Sequence, residues 1–289
     1  MPIAESELIL NADGSIYHLN LLPEDIANTI ITVGDPDRVH GVSKYFDSIE
    51  LKKGKREFVT HTGILNGTRI TVLSTGIGTD NIDIVLNELD ALTNIDLRTR
   101  ELKKSKTSLN IIRIGTSGAI QADIPVDTFL LSEMAIGFDG LLHFYDSKEF
   151  QNTELINDLN PYLNWDSRGI TPYVFGCNKI LAEKLISNRI RLGITVTNAG
   201  FYAPQGRELR LSPSLTDFHQ KLKGFNFRGK KITNLEMETA GIYGLSKLLG
   251  HKAVSMNAIL ANRTTGAFSK DPNKTVDALI KYCLQKLTL

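Results

Sequence analysis

The chain is predicted to fold as an α/β layered domain, on three observations. Strand-length apolar runs alternate with helical patterns from one end to the other. Glycine-containing turns follow several of those runs, and the last helical segment carries an apolar stripe that only a second layer can cover.

In chain order, Thr29-Ile30-Ile31-Thr32-Val33 is β-branched throughout and reads as a buried strand ending at Gly34. Asn66-Gly67 is the dipeptide favoured in tight two-residue turns, so residues 57–75 are predicted to form a hairpin around it. After Gly78, Thr79-Asp80-Asn81 opens a helix, and Ile82, Val85, Leu86 and Leu89 fall on its buried face. A strand over 110–114 is expected to stop at a turn formed by Gly115-Thr116-Ser117-Gly118, with a further strand at Thr128-Phe129-Leu130-Leu131 after Pro125. A helix near 179–187 precedes the strand Gly193-Ile194-Thr195-Val196-Thr197. A helix over 238–249 closes at Gly250, a residue suited to the left-handed end of a helix, and a buried strand follows over 253–261. Val276, Leu279, Ile280, Cys283, Leu284 and Leu287 then repeat at helical spacing and form the final stripe.

Composition narrows the function classes. At 289 residues, 42% apolar and 22% charged, the chain is near the upper size for one core, and residues 1–289 are expected to form a single domain. A formal net charge of +1 gives no global field for nucleic acid or an anionic membrane, so any anion must be bound locally. Cys177 and Cys283 are far apart and lack metal-ligand spacing, which argues against a disulfide framework or a zinc site. No basic and apolar leader pattern opens the sequence, and no run of about 18 apolar residues occurs. A cytoplasmic protein is the expectation. The basic run 98–106 includes Glu101 and lacks aromatics for base stacking, so it is read as an exposed insertion instead of an RNA-binding patch.

Four segments bring anion donors beside expected backbone turns: Gly34-Asp35-Pro36-Asp37-Arg38, Arg56-Glu57-Phe58, Gly76-Ile77-Gly78 and Arg113-Ile114-Gly115-Thr116-Ser117-Gly118. Three guanidiniums with a hydroxyl and glycine N–H groups suit an oxyanion such as phosphate, although each segment alone reads equally as a capped turn or a surface ion pair. Gly76-Ile77-Gly78 is a poor dinucleotide fingerprint, because Asn81 stands where a third glycine belongs and the preceding strand comes from a hairpin.

Gln205 and Arg207 set a carboxamide and a guanidinium two positions apart. The amide both donates and accepts in one plane, as an N–H flanked by two carbonyls in uracil would require, and guanidinium adds fixed donors. On a surface loop the same pair would simply be solvated. In Asn234-Leu235-Glu236-Met237-Glu238-Thr239-Ala240, Glu238 could accept two hydroxyl protons from a cis-diol while Met237 packs against a sugar; its structural alternative is a carboxylate favoured at a helix start.

Taken in order, V-G-D-P-D-R at 33–38, R-E-F at 56–58, S-T-G-I-G at 74–78, R-I-G-T-S-G-A-I at 113–120, F-Y-A-P-Q-G-R at 201–207, L-E-M-E-T at 235–239 and N-R at 262–263 resemble the signatures of the nucleoside phosphorylase family. The Q-x-R triplet matches its uridine-cleaving branch. The resemblance implies a three-layer αβα fold with a central mixed, partly barrel-like sheet. It also implies reversible phosphorolysis of uridine to uracil and ribose 1-phosphate, with a purine nucleoside phosphorylase or a nucleoside hydrolase on the same fold as the alternative. A non-catalytic nucleoside-binding protein is the reading from a different class, made less attractive by arginines that binding alone does not need.

By that resemblance, Gly34, Arg38, Arg113 and Thr116 would bind phosphate, with Arg56 reaching in from a neighbouring subunit. Ribose would meet Met237, Glu238 and the neighbour's His18, whose imidazole would serve the 5′-hydroxyl. Phe201 would stack on the base, Gln205 would bond N3–H and O2, and Arg207 would approach O4. Catalysis would rest on Arg207, Gln205 and Glu238, with phosphate as co-substrate and no organic cofactor. Glu57 and Ile77 would border a site for a potassium ion, and dimers sharing active sites would assemble into a hexamer. Two departures stand out: the insertion at 98–106, and Ala203-Pro204 where the family more often has proline then glycine. The acidic residue that purine enzymes carry near the end of the 253–261 strand is also missing, since Leu260-Ala261-Asn262-Arg263 stands there.

Overall fold

The computed structural model describes residues 2–165 and 171–288. The first part of the chain forms β1 (Thr29–Val33), α1 (Pro36–Ser43), β2 (Ser48–Lys55), β3 (Phe58–Leu65), β4 (Thr68–Ser74) and α2 (Thr79–Asn94). Two very short strands, β5 (Ile95–Asp96) and β6 (Glu101–Leu102), lead to β7 (Asn110–Ala119), β8 (Phe129–Gly137), α3 (Thr153–Leu163), β9 (Tyr173–Gly176) and α4 (Lys179–Leu185). The chain continues through β10 (Ile190–Thr197), α5 (Phe218–Gly224), β11 (Asn226–Phe227), β12 (Lys230–Glu236), α6 (Thr239–Leu249), β13 (Lys252–Asn262), β14 (Ala267–Phe268) and α7 (Pro272–Leu287).

Among the described residues, all strands except β5 and β6 join one mixed sheet whose main path runs β11-β12-β10-β8-β13-β7-β1-β4-β3-β2. β1 lies parallel between β4 and β7, while the β3–β4 hairpin turns at Asn66-Gly67 as the sequence requires. An additional antiparallel pairing, Asn234 with Ala119 and Leu235 with Gly118, joins β12 back to β7. It closes β7, β13, β8, β10 and β12 into a ring, so the sheet is open at its β2 end and barrel-like at the other.

Alternating side chains build the layers, because successive strand residues face opposite sides. Ile30, Leu73, Ile111 and Ala253 pack in one core with Ile82, Val85, Leu86 and Leu89 of α2 and Ile242 and Leu245 of α6. Their neighbours Ile31, Val72, Ile112 and Val254 pack in another with Val39 and Val42 of α1, Leu181 and Leu185 of α4, and the α7 stripe of Leu279, Ile280, Cys283 and Leu284. At about 1.5–3 kcal/mol for each large apolar side chain taken from water, that stripe alone anchors α7 firmly. The αβα layering follows from these two faces, and a third core packs α3 and α5 over β9, β10 and β12.

The structure changes one expectation and extends another. β7 does not stop before Gly115 but continues to Ala119, because β13 pairs with it along this length, Gly115 opposite Asn257 and Ser117 opposite Ile259. Gly115 is needed for packing and not for a turn: a Cβ there would lie 1.9 Å from Arg113 Nη1. The basic segment 98–106 is mostly exposed, as expected, and it also makes structural contacts. β6 pairs with β5, Arg100 O accepts from Ile3 N at 2.7 Å, Arg100 Nη1 donates to Leu8 O at 2.5 Å, and Lys103 Nζ reaches Thr93 O at 2.8 Å. The segment clips the N-terminal strap onto the end of α2.

Candidate active site

A cavity of about 1190 Å³ lies where the chain leaves β1, β4, β10, β12 and β13 and along the second half of β7. Carboxyl ends of parallel strands are where α/β sheets gather ligands, since loops there are free to vary while the strands hold them in place. Gly34, Arg38, Arg113, Thr116, Phe201, Gln205, Arg207, Met237 and Glu238 all line it, so most of the residues singled out in the sequence converge on one wall system.

On the anion side, β1 passes through Gly34 into α1, whose start is capped by Asp35 accepting from Asp37 N at 2.9 Å. Arg38 thus sits in the first turns of α1, and Nη1 approaches Ile114 O at 3.5 Å. Gly34 and Gly76 are neighbours, since a Cβ on Gly34 would rest in ordinary contact with Gly76 O at 3.4 Å. Burial, and next the Arg113 guanidinium, lower Arg38 from the ordinary arginine value. Two guanidiniums that repel one another beside an accessible threonine hydroxyl make a place that an anion would stabilise.

Arg113 is held on every side. Nη2 donates to Glu238 Oε2 at 2.6 Å and lies 3.1 Å from Glu236 Oε2, while Nη1 donates to Asn257 Oδ1 at 3.0 Å and to Ser255 Oγ at 3.4 Å. Burial disfavours its charge, but Glu236 and Glu238 hold its pKa above the ordinary level. Glu238 is raised from the usual carboxylate range by burial, against the pull of Arg113.

The two carboxylates divide their work. Glu238 stands at the N-terminus of α6, yet its side chain makes no cap bond; Oε1 instead accepts from Gly78 N at 2.9 Å. Glu236 serves the helix start, accepting from Glu238 N at 3.0 Å, Thr239 N at 2.9 Å and Thr239 Oγ1 at 2.9 Å, and also from Thr197 Oγ1 at 2.5 Å. The structural role that competed for Glu238 therefore belongs to Glu236, which leaves Glu238 aimed at the cavity beside half-buried Met237.

The third group sits on a tight turn. Ala203–Gln205 forms one 3-10 turn closed by Gly206 at φ 68, a left-handed conformation that favours glycine. Gln205 is only 3% exposed, and its Oε1 accepts from Arg207 Nη1 at 2.6 Å. The same Nη1 donates to Phe201 O at 2.7 Å, and the guanidinium lies 3.9 Å from the centroid of the Phe201 ring. Amide, guanidinium and aromatic face thus meet in one cluster. Behind them His219 is lowered to about 4 by burial and then by Arg263, Lys223 and Arg207, so it is neutral near pH 7.

Glu57 and Ile77 also border the cavity, but His18 and Arg56 do not. His18 bonds Glu88 on α2, and the stretch of helix between Gly78 and Glu88 spans about 15 Å at the helical rise, too far for His18 to reach its own chain's Glu238. Arg56 is exposed at the β2–β3 turn with φ 56, a conformation uncommon for a side-chain-bearing residue.

Sequence reasoning gave no role to Arg263, although its N-R dipeptide belonged to the pattern. Arg263 Nη1 donates to Gln205 O and Nη2 to Gly206 O at 3.2 Å, so it clamps the turn that carries Gln205. Asn262 aims it, donating to Gln121 O and Ile124 O at 2.8 Å and accepting from Thr264 N at 2.9 Å. An arginine directly after a buried strand was the available signal.

Residues 28–285 match the model of the Phosphorylase superfamily. The chain belongs to this family. It is 30% identical over 264 residues to a uridine phosphorylase of Thermococcus kodakarensis, covering 91% of this chain and 83% of that protein. It is also 30% identical over 254 residues to a uridine phosphorylase of Haemophilus influenzae, covering 86% of this chain and 87% of the relative. The crystal structure of a Trypanosoma brucei nucleoside phosphorylase, described as showing uridine phosphorylase activity, superposes with a TM-score of 0.86 at 27% identity over 97% of this chain and 99% of that one. The αβα fold with a mixed central sheet, expected from the sequence, is the fold of this family. No described helix is long and apolar enough to cross a membrane.

Proposed function

We propose that the chain is a uridine phosphorylase, a pentosyltransferase that converts uridine and phosphate reversibly to uracil and ribose 1-phosphate with inversion at C1′. The observation that carries this reading is the meeting, in one cavity, of the Arg38–Arg113–Thr116 anion side, the Met237–Glu238 sugar side and the Phe201–Gln205–Arg207 base clamp. Similarity to uridine phosphorylases over most of the chain supports it.

Phosphate held by Arg38, Arg113, Thr116 and Gly34 attacks C1′ from the face opposite the base. The breaking C1′–N1 bond leaves its electron pair on uracil, and the sugar passes through an oxocarbenium-like state that the incoming dianion stabilises. Glu238 holds the ribose hydroxyls, and Met237 packs against the ring. Gln205 reads N3–H and O2, Phe201 stacks on the base, and Arg207 donates to O4 as charge collects there, a contact stronger in the transition state than in the ground state. No protein nucleophile is needed. The inter-residue bonds Arg113–Glu238 and Arg207–Gln205 exchange for bonds to substrate on binding.

Because His18 and Arg56 do not line their own cavity, this reading assigns them to the site of a second copy, His18 at the 5′-hydroxyl and Arg56 at phosphate. The working unit is then a dimer sharing sites, and we extend this to a hexamer of three such pairs. The same reading places a potassium ion near Glu57 and Ile77, which both border the cavity and of which Glu57 brings a carboxylate. This reading also takes residues 1–289 as one domain, which the 12-stranded sheet among the described residues supports, and places its action in the cytoplasm in pyrimidine nucleoside salvage.

A coupled assay tests the reaction. Uridine should be consumed only when phosphate is present, with ribose 1-phosphate as product. Turnover in phosphate-free buffer would make the chain a hydrolase, and preference for inosine over uridine at equal concentration would place it in the purine branch.

A further inference from the structure

The N-terminal strap holds His18 against a carboxylate, Glu88, to which the reaction has given no role. Glu88, on the third turn of α2, accepts from His18 N at 3.0 Å, from Leu19 N at 2.8 Å and meets His18 Nδ1 at 2.6 Å. Its side chain is 13% exposed and that of His18 27%. The strap is fixed from its other side as well: Lys55 Nζ donates to Tyr17 O at 2.5 Å and lies 4.2 Å from the Tyr17 ring centroid, while the Tyr17 ring packs edge-on to His18 at 4.8 Å. Lys55 directly precedes Arg56, so His18 and Arg56 are carried on adjoining pieces of backbone.

A carboxylate can only accept, so Nδ1 of His18 must carry the hydrogen in this contact. In the neutral imidazole that leaves Nε2 with its lone pair, pointing away from Glu88. We propose that Glu88 is a positioning residue: it fixes the His18 tautomer and ring direction so that Nε2 accepts the 5′-hydroxyl hydrogen of a nucleoside bound in a second copy of this chain. The proposal rests on the uridine phosphorylase reading and on the placing of His18 in the neighbour's site. Glu88 never touches substrate. Its three N–H partners make the strap and the ring one rigid unit, which spares binding the entropy of ordering a free histidine.

The test compares phosphorolysis of uridine and 5′-deoxyuridine by the wild type, His18→Ala, Glu88→Gln and the double variant. His18→Ala should lower kcat/KM for uridine by roughly three- to tenfold while sparing 5′-deoxyuridine, the scale of one neutral hydrogen bond. Glu88→Gln, which cannot serve all three donors with one acceptor oxygen, should reproduce most of that selective loss, and the double variant should add little. If His18→Ala fails to discriminate the two nucleosides, the placing of His18 is wrong and the proposal goes with it. If His18→Ala discriminates and Glu88→Gln does not, or lowers both substrates equally, the role of Glu88 alone is overturned. Should Glu88→Gln not fold, imidazole ¹⁵N shifts of the wild type decide: a hydrogen on Nδ1 of His18 is expected, and the opposite tautomer refutes the proposal.

Discussion

Arg113 and Glu238 meet across 2.6 Å although one lies in the middle of β7 and the other at the start of α6, and both side chains are less than a tenth exposed. On the proposed function, the groups that hold phosphate and ribose are thereby two ends of one ion pair. We predict that Glu238→Gln lowers kcat/KM for uridine by about 1.5–3 kcal/mol, the scale of a hydrogen bond to a charged group, without raising KM for phosphate. Steady-state kinetics with each substrate varied in turn checks this; a rise confined to the phosphate KM would contradict the assignment.

Gly115→Ala tests the same guanidinium from below. The added methyl would fall 1.9 Å from Arg113 Nη1, which Asn257 and Ser255 hold in place, so Arg113 must leave its present seat. The expected outcome is a folded protein by circular dichroism with a phosphate KM raised roughly tenfold or more, as a lost charge-assisted bond requires. An unchanged phosphate KM would show that the seat of Arg113 is unimportant.

Arg207→Ala should remove the donor that grows in importance as uracil leaves. A loss of about 2.7–4 kcal/mol of transition-state stabilisation is expected, carried more by kcat than by the uridine KM. Equal kcat in wild type and variant would refute the role of Arg207.

His219 links stability to pH. Its folded value, about 4, lies below its ordinary 6.5, so the unfolded chain takes up the proton first as pH falls. The contribution of neutral His219 is complete above pH 6.5 and is lost between about pH 6.5 and 4. Urea midpoints measured across this window should fall less steeply for His219→Gln than for wild type. Parallel curves would exclude His219 as a source of the slope.

Much of the fold was legible in local pattern. The period-3.6 stripes of α2 and α7, the Asn66-Gly67 turn and the left-handed Gly250 each state their structure in a few adjacent residues. β7 was misjudged beyond Ile114 because Gly115 is required by Arg113 folding over it, a contact two residues away in sequence but set by strands that arrive much later. The ring closure was legible only through family likeness, since nothing local in Ala119 or Asn234 announces that they pair. In the site, residue types and order pointed to Arg38, Arg113, Gln205, Arg207 and Glu238, whereas Glu236 capping α6 and Arg263 clamping Gln205 depend on distances that sequence does not carry.

The pairing that joins β12 to β7 has only two rungs, Asn234 with Ala119 and Leu235 with Gly118, and Glu236 is the next residue along. Partial opening of a protein begins where few bonds must break, and this two-rung seam lies beside the Glu236–Arg113 contact. Warming should therefore silence the enzyme by unzipping this seam while the outer helices are still intact, so its half-life at elevated temperature reports the strength of two rungs and not of the whole molecule.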